Sequence, residues 1–182
     1  ADRIAFAKRQ SWRNRATCLL DAVASAPQPR FGIVVVSWNG VDLTRRCVQS
    51  VLDDRAATQL DVVIVDNAST DGTAEWLSEI EKHPRVRVIR NADNLGFAAA
   101  CNQGLAAAAE RNPDVLVILN NDIVVTPGWA RTIDHHLRRD ASIGLLGPVT
   151  NNIGNEARIE TSYSDLGAML KEQAMLTGEQ AG

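Results

Sequence analysis

The sequence predicts an α/β fold: a mostly parallel sheet with helices on both faces. Short apolar, β-branched runs recur at Ile33–Val36, Val62–Val65, Val86–Ile89 and Val115–Leu119. Between them lie stretches with helical spacing, at Val41–Leu52, Thr73–Ile80 and the Ala-rich Phe97–Ala109. The runs are largely apolar at consecutive rather than alternate positions, as expected of strands buried on both faces.

Taken in order, residues 3–25 read as a helix, with Trp12, Ala16, Leu19, Leu20 and Val23 at helical spacing. Arg3, Lys8, Arg9, Arg13 and Arg15 decorate it as a solvated face, so membrane contact is at most peripheral. Pro27-Gln28-Pro29 stops that helix and acts as a stiff connector. The four strand–helix repeats follow. A further helix is expected to start near Thr126-Pro127-Gly128, with Thr126 as cap and Pro127 in the first turn. A fifth strand is expected over Ile143–Val149. The division is then residues 1–29 as helix and linker, 30–156 as the binding domain, and 157–182 as a helical tail. Both ends read as cut, with the tail opening a part that lies outside this chain.

Bulk properties narrow the partner. The 182 residues carry a net charge of −3, so no basic field draws nucleic acid. Cys18, Cys47 and Cys101 are scattered, without the spacing of a zinc site, as in proteins of a reducing, cytoplasmic compartment. No apolar run approaches the ~20 residues that cross a bilayer.

The informative feature is how the strands end. They run into Ser37-Trp38-Asn39, Asp66-Asn67, Asn91 and Asn120-Asn121-Asp122. In an open parallel sheet these ends share one edge, and ligands bind in the crevice outside it. Neither a GxGxxG fingerprint nor a GxxxxGK[ST] loop follows the first strand. His83, His135 and His136 lie on or beside helices and form no hydrolase set. Asp66 after a buried run suits hydrogen bonding to a polar heterocycle. The oxygens around Asp122 suit Mg²⁺ or Mn²⁺, which bind one or two carboxylates together with substrate phosphates.

Four motifs, SWNG, VIVDNASTDGT, NADNLGFAAACNQG and ILNNDIVVTPGW, resemble glycosyltransferase family 2, nearest to its rhamnosyltransferase-like and O-antigen-type members. The resemblance runs from about Phe31 to Val149 and implies a GT-A fold, here stopping before the acceptor half. It implies that Trp38 packs on the nucleotide base and that Asp66 accepts from the base's imino N–H, which suits uridine or thymidine diphosphate sugars. Ser37, Asn39, Asn67, Ser69 and Asp71 would surround the nucleoside; Asp71 reads equally as a helix cap. Asn94, Gly96 and Phe97 would open a helix beside the sugar diphosphate, with Gly96 allowing close backbone approach. Asn102 faces either the cleft or solvent. Asn120-Asn121-Asp122 stands in place of the family's DXD motif, with Asn for its first Asp. Asp122 is then the metal ligand, Asn120 a weaker one, and Asn121 a ribose or sugar contact.

The resemblance implies inverting transfer of a hexose, rhamnose among the candidates, to a saccharide acceptor in cell-surface polysaccharide synthesis. The family's general base lies in the second half of the domain. Glu156, Glu160 and Asp165 match no pattern for it, and the segment Gly147–Asn152 reads equally as sugar-site border or turn. Two alternatives remain: a non-catalytic sugar-nucleotide-binding module, and a nucleotidyltransferase. The latter usually carries a Gly-rich basic loop where this chain has Ser37–Asp42.

Overall fold

Consecutive β-branched residues disfavour helix and pack well on a pleated surface, and four such runs form the sheet in the computed structural model. The described residues are 15–17, 28–54, 59–151 and 157–177. The elements are β1 (Arg30–Ser37), α1 (Val41–Leu52), β2 (Gln59–Asp66), α2 (Thr73–Ile80), β3 (Val86–Arg90), α3 (Phe97–Ala109), β4 (Val115–Asn120), α4 (Trp129–Arg139) and α5 (Leu166–Thr177). The helix read over residues 3–25 lies outside the described residues, apart from Arg15–Thr17, which are helical and exposed.

The sheet order is β3-β2-β1-β4, and all three pairings are parallel. The chain builds outward from β1 through β2 to β3, then returns to add β4 on the other side of β1. That reversal makes the carboxyl ends of β1 and β4 the topological switch point, where such sheets open a crevice. Register sets the tips side by side: Ser37 is opposite Asp66, and Val36 is opposite Asn120.

Side chains alternate across the sheet, and the two faces carry separate cores. Ile33, Val35, Val62 and Ile64 pack with Cys47, Val48 and Val51 of α1, Leu77 of α2 and Ala130 of α4. Val34, Val36, Val63 and Val65 pack with Ala100, Cys101, Ala107 and Ala108 of α3. The second helix layer lies close to the sheet because of Gly104. A Cβ there would stand 2.2 Å from Cγ1 of Val34 and 3.2 Å from Cγ2 of Val65.

Three expectations are corrected. Residues 143–149 form no strand: Gly144, Gly147 and Pro148 interrupt the run, Leu145 is 93% exposed, and only an isolated bridge joins Thr150 to Arg158. The sheet is covered on both faces at β1 and β2 but not at β4, where Leu116 and Ile118 are 45% and 48% exposed. Helix α4 begins one residue past left-handed Gly128, and Thr126 supplies no side-chain cap. The Gly128 N–H is held by Asp54 Oδ1 at 3.2 Å, which ties the start of α4 to the end of α1.

Candidate functional site

A cleft of about 310 Å³ opens at the switch point, lined by Val36, Trp38, Asn67, Asn94, Phe97, Asn120, Asn121 and Asp122. The lining comes from the carboxyl ends of β1, β2 and β4, from Asn94 in the loop before α3 and from Phe97 at the start of α3. Trp38 and Phe97 are 60% and 56% exposed, so each leaves much of its ring uncovered at the cleft. Asp122 is exposed and is the sole charged residue of the lining; no Lys or Arg takes part. The α3 N-terminus also meets the cleft, and the first N–H groups of a helix have no partner within it.

The turn after β4 is braced from below by α1. Asn121 Nδ2 donates to Thr44 Oγ1 at 3.0 Å, and that hydroxyl pairs with Ser37 Oγ at 2.8 Å. Cys47 Sγ donates to the Asn120 carbonyl at 3.4 Å. Burial, and then the charge of Asp122, push the Cys47 thiol up to about 12, so it stays a protonated donor. Ser37, fully buried, therefore supports the turn from within and does not line the cleft.

A second group of predicted residues fastens the β1–α1 loop to the β2–α2 loop. Ser69 Oγ accepts from the Asn39 N–H and Asn39 Oδ1 from the Thr70 N–H, both at 2.8 Å. Asp71 accepts from the N–H groups of Gly40, Val41 and Thr73 and from the Thr73 hydroxyl. It thus joins two loops, beyond what a plain cap does. Asp66 shares the edge with Asp122 but not the cleft. It is 5% exposed; Oδ1 accepts from the Ser69 N–H at 3.2 Å, and Oδ2 accepts no hydrogen bond from the described residues.

The Thr73 hydroxyl first, then backbone donors from Val41, Gly40 and Thr73, hold the Asp71 carboxyl below its ordinary 3.8. A depressed folded value means the clasp contributes fully above the ordinary pKa and is lost as pH falls through the folded one. Melting temperature should therefore fall more steeply below about pH 4 in the wild type than in Asp71→Asn. Parallel curves for the two would show that the clasp contributes nothing.

Asn67 is almost fully buried, its amide held among Asn91, Asn94 and Leu95. Gly96 has φ 81° and ψ 162°, a conformation essentially confined to glycine, whereas a Cβ there would meet nothing within 4 Å. Backbone conformation, not room inside the protein, is what demands glycine. Asn102 is exposed. Thr44, Cys47 and Gln103 were not singled out from sequence. Their signal was helical spacing from the strand ends, which has no meaning until the register of the sheet is known. Among the described residues no group of three or more His, Cys, Asp or Glu could hold a metal ion, and no helix is long and apolar enough to cross a membrane.

The sequence model described as Glycosyl transferase family 2 matches residues 32–178. The succinoglycan biosynthesis protein ExoO of Rhizobium meliloti is 34% identical over 60% of this chain and 30% of its own length. The N-acetylglucosaminyl-diphospho-decaprenol L-rhamnosyltransferase of Mycobacterium tuberculosis is 29% identical over 48% of this chain and 31% of its own. S. aureus TarS in complex with UDP-GlcNAc shares the fold, at TM-score 0.50 and 17% identity over 60% of this chain and 31% of that one. The chain spans between 11% and 36% of the length of four curated relatives it matches. With the family match covering most of the chain and its motifs meeting at the switch point of a parallel sheet, this chain belongs to glycosyltransferase family 2 and has the GT-A fold.

Proposed function

We propose that residues 30–156 bind a nucleoside diphosphate sugar, with UDP or dTDP favoured, and that the protein transfers its hexose with inversion to a saccharide acceptor in cell-surface polysaccharide synthesis. The observation that carries this reading is the lining of the cleft: two exposed aromatics, four Asn side chains and one carboxylate, with no cationic side chain. Aromatic faces suit a base, and amides suit sugar and ribose hydroxyls. A diphosphate needs positive charge, and no lining side chain supplies it. Rhamnose leads among the sugars because the M. tuberculosis relative is named for its transfer. Free, buried Cys47 and Cys101 fit a reducing, cytoplasmic setting.

Mg²⁺ or Mn²⁺ fits the residues present. Asp122 offers one exposed carboxylate with Asn120 beside it, and such ions keep waters and bind few carboxylates plus phosphates. When bound, the ion offsets charge growing on the departing diphosphate, which lowers the barrier more than it tightens the ground state. The chain's own residues orient the donor: Trp38 packs on the base, Asn94 and the α3 N-terminus face the diphosphate, and Asn120 with Asn121 meets the sugar. Asp66 reaches the base at the edge of the site through its unpartnered Oδ2.

Titration with UDP, dTDP and GDP sugars, each with and without Mn²⁺, tests the reading; equal and negligible binding of all of them would end it. Asp66→Asn should weaken uridine diphosphate about tenfold with little change in melting temperature. The new amide still accepts from the Ser69 N–H but turns a donor toward the base's imino N–H. Unchanged affinity would move the base elsewhere. A second reading, a binding module without turnover, is favoured by one fact: Asp122 is the only acid lining the cleft, and it is assigned to the metal. Assaying donor hydrolysis and sugar transfer in the longer protein separates the two.

A further inference from the structure

We propose that Gln103 and Asn91 are positioning residues for the donor, holding the loop 91–96 that presents Asn94 and Phe97 to the cleft. The inference rests on the donor-site reading above.

The observation is an unbroken amide relay from mid-α3 to the cleft. Gln103 and Asn91 clasp each other reciprocally, Nε2 to Oδ1 at 3.1 Å and Nδ2 to Oε1 at 2.9 Å. Asn91 Nδ2 also donates to Asn67 Oδ1 at 3.0 Å, which accepts from the Leu95 N–H at 3.0 Å as well. Asn67 Nδ2 then donates to Asn94 Oδ1 at 2.7 Å, which also accepts from the Gly96 N–H at 2.9 Å.

The polarity of this relay is fixed. A backbone N–H can only donate, so Leu95 and Gly96 dictate which atom of Asn67 and of Asn94 faces them. Asn67 must then receive a donor from Asn91, and Asn91 is left needing one acceptor and one donor from its remaining neighbour. The Gln103 amide supplies both, one N–H and one C=O in a cyclic pair with Asn91, and does so from a rigid helix. Acceptor-only glutamate or donor-only lysine at 103 would leave one member of the relay unmatched. A relay of this kind has one low-energy arrangement, so the loop is shaped before any ligand arrives, and binding then costs less ordering.

Backbone amide exchange and titration with UDP and dTDP in the presence of Mn²⁺, on the intact chain, test this. In Gln103→Leu the Leu95 and Gly96 amides should exchange about tenfold faster and UDP–Mn²⁺ should bind about tenfold more weakly, as for one lost buried hydrogen-bonded partner. Amides of β1 and β2 should keep their exchange rates, which general destabilisation would not allow. Asn91→Ala, removing the other half of the clasp, should reproduce both changes and stands in should Gln103→Leu fail to fold. Unchanged exchange at Leu95, or faster exchange with unaltered affinity, would overturn the proposal. If the wild type binds no nucleoside diphosphate, the donor reading falls, and the relay's hold on the loop stands or falls on Leu95 exchange alone.

Discussion

Asp122→Ala should abolish the gain in UDP affinity that Mn²⁺ provides, about a hundredfold or ~2.7 kcal/mol, and leave the metal-free affinity nearly unchanged. The size follows from the lining of the cleft. Asp122 is its only charged residue, so among the described residues no second lining carboxylate can take over the ion, and no lining Lys or Arg can hold the diphosphate instead. Stability should barely move, within about ±0.5 kcal/mol, because the side chain is exposed and the turn carrying it is braced through Asn121 and the Asn120 carbonyl. Asn121→Ala should behave differently. It removes the brace on Thr44 and should disturb the turn itself. Calorimetric titrations with and without Mn²⁺ that coincide for wild type and Asp122→Ala would refute the assignment.

Gly104→Val should lower stability by about 3 kcal/mol, roughly 6–12 °C in Tm for a chain of this size. Replacing a helical glycine ordinarily gains up to ~1 kcal/mol in propensity, but here sterics oppose it. A Cβ would stand 2.2 Å from Val34 Cγ1, on a fully buried residue of the central strand. Either α3 lifts from the sheet or Val34 leaves its rotamer, and both open the second core. Because α3 carries Phe97 and Gln103, lifting it also displaces one wall of the cleft. Gly104→Ala should cost less, and Val34→Ala should relieve part of that cost, a coupling that a double-mutant cycle would read. Additive losses would show that the close approach is not what requires glycine.

The fold was legible because its signals are local. Consecutive β-branched residues specify strands, Ala-rich and amphipathic spacing specifies helices, and their alternation specifies a parallel sheet. All four strands and the helices between them lie where the pattern set them. The reading failed at residues 143–149, where apolar content was mistaken for a strand although Gly144, Gly147 and Pro148 punctuate it. It also overstated coverage at β4, since periodicity reports what a face is made of and not what lies on it.

The sequence alone determined which chemical groups this chain offers: amides, one indole and two carboxylates at strand ends, with Phe97 at the head of a helix, in four motifs whose order matches one family. Residue type and order along the chain suffice for that. Only the tertiary structure decided how those groups divide. Trp38, Asn67, Asn94, Phe97, Asn120, Asn121 and Asp122 line the cleft, whereas Ser37 braces the turn from within, Asn39, Ser69 and Asp71 join loops, and Asp66 is buried outside the lining. The division depends on strand register and on which groups each side chain meets, several of them 27 to 77 positions away along the chain.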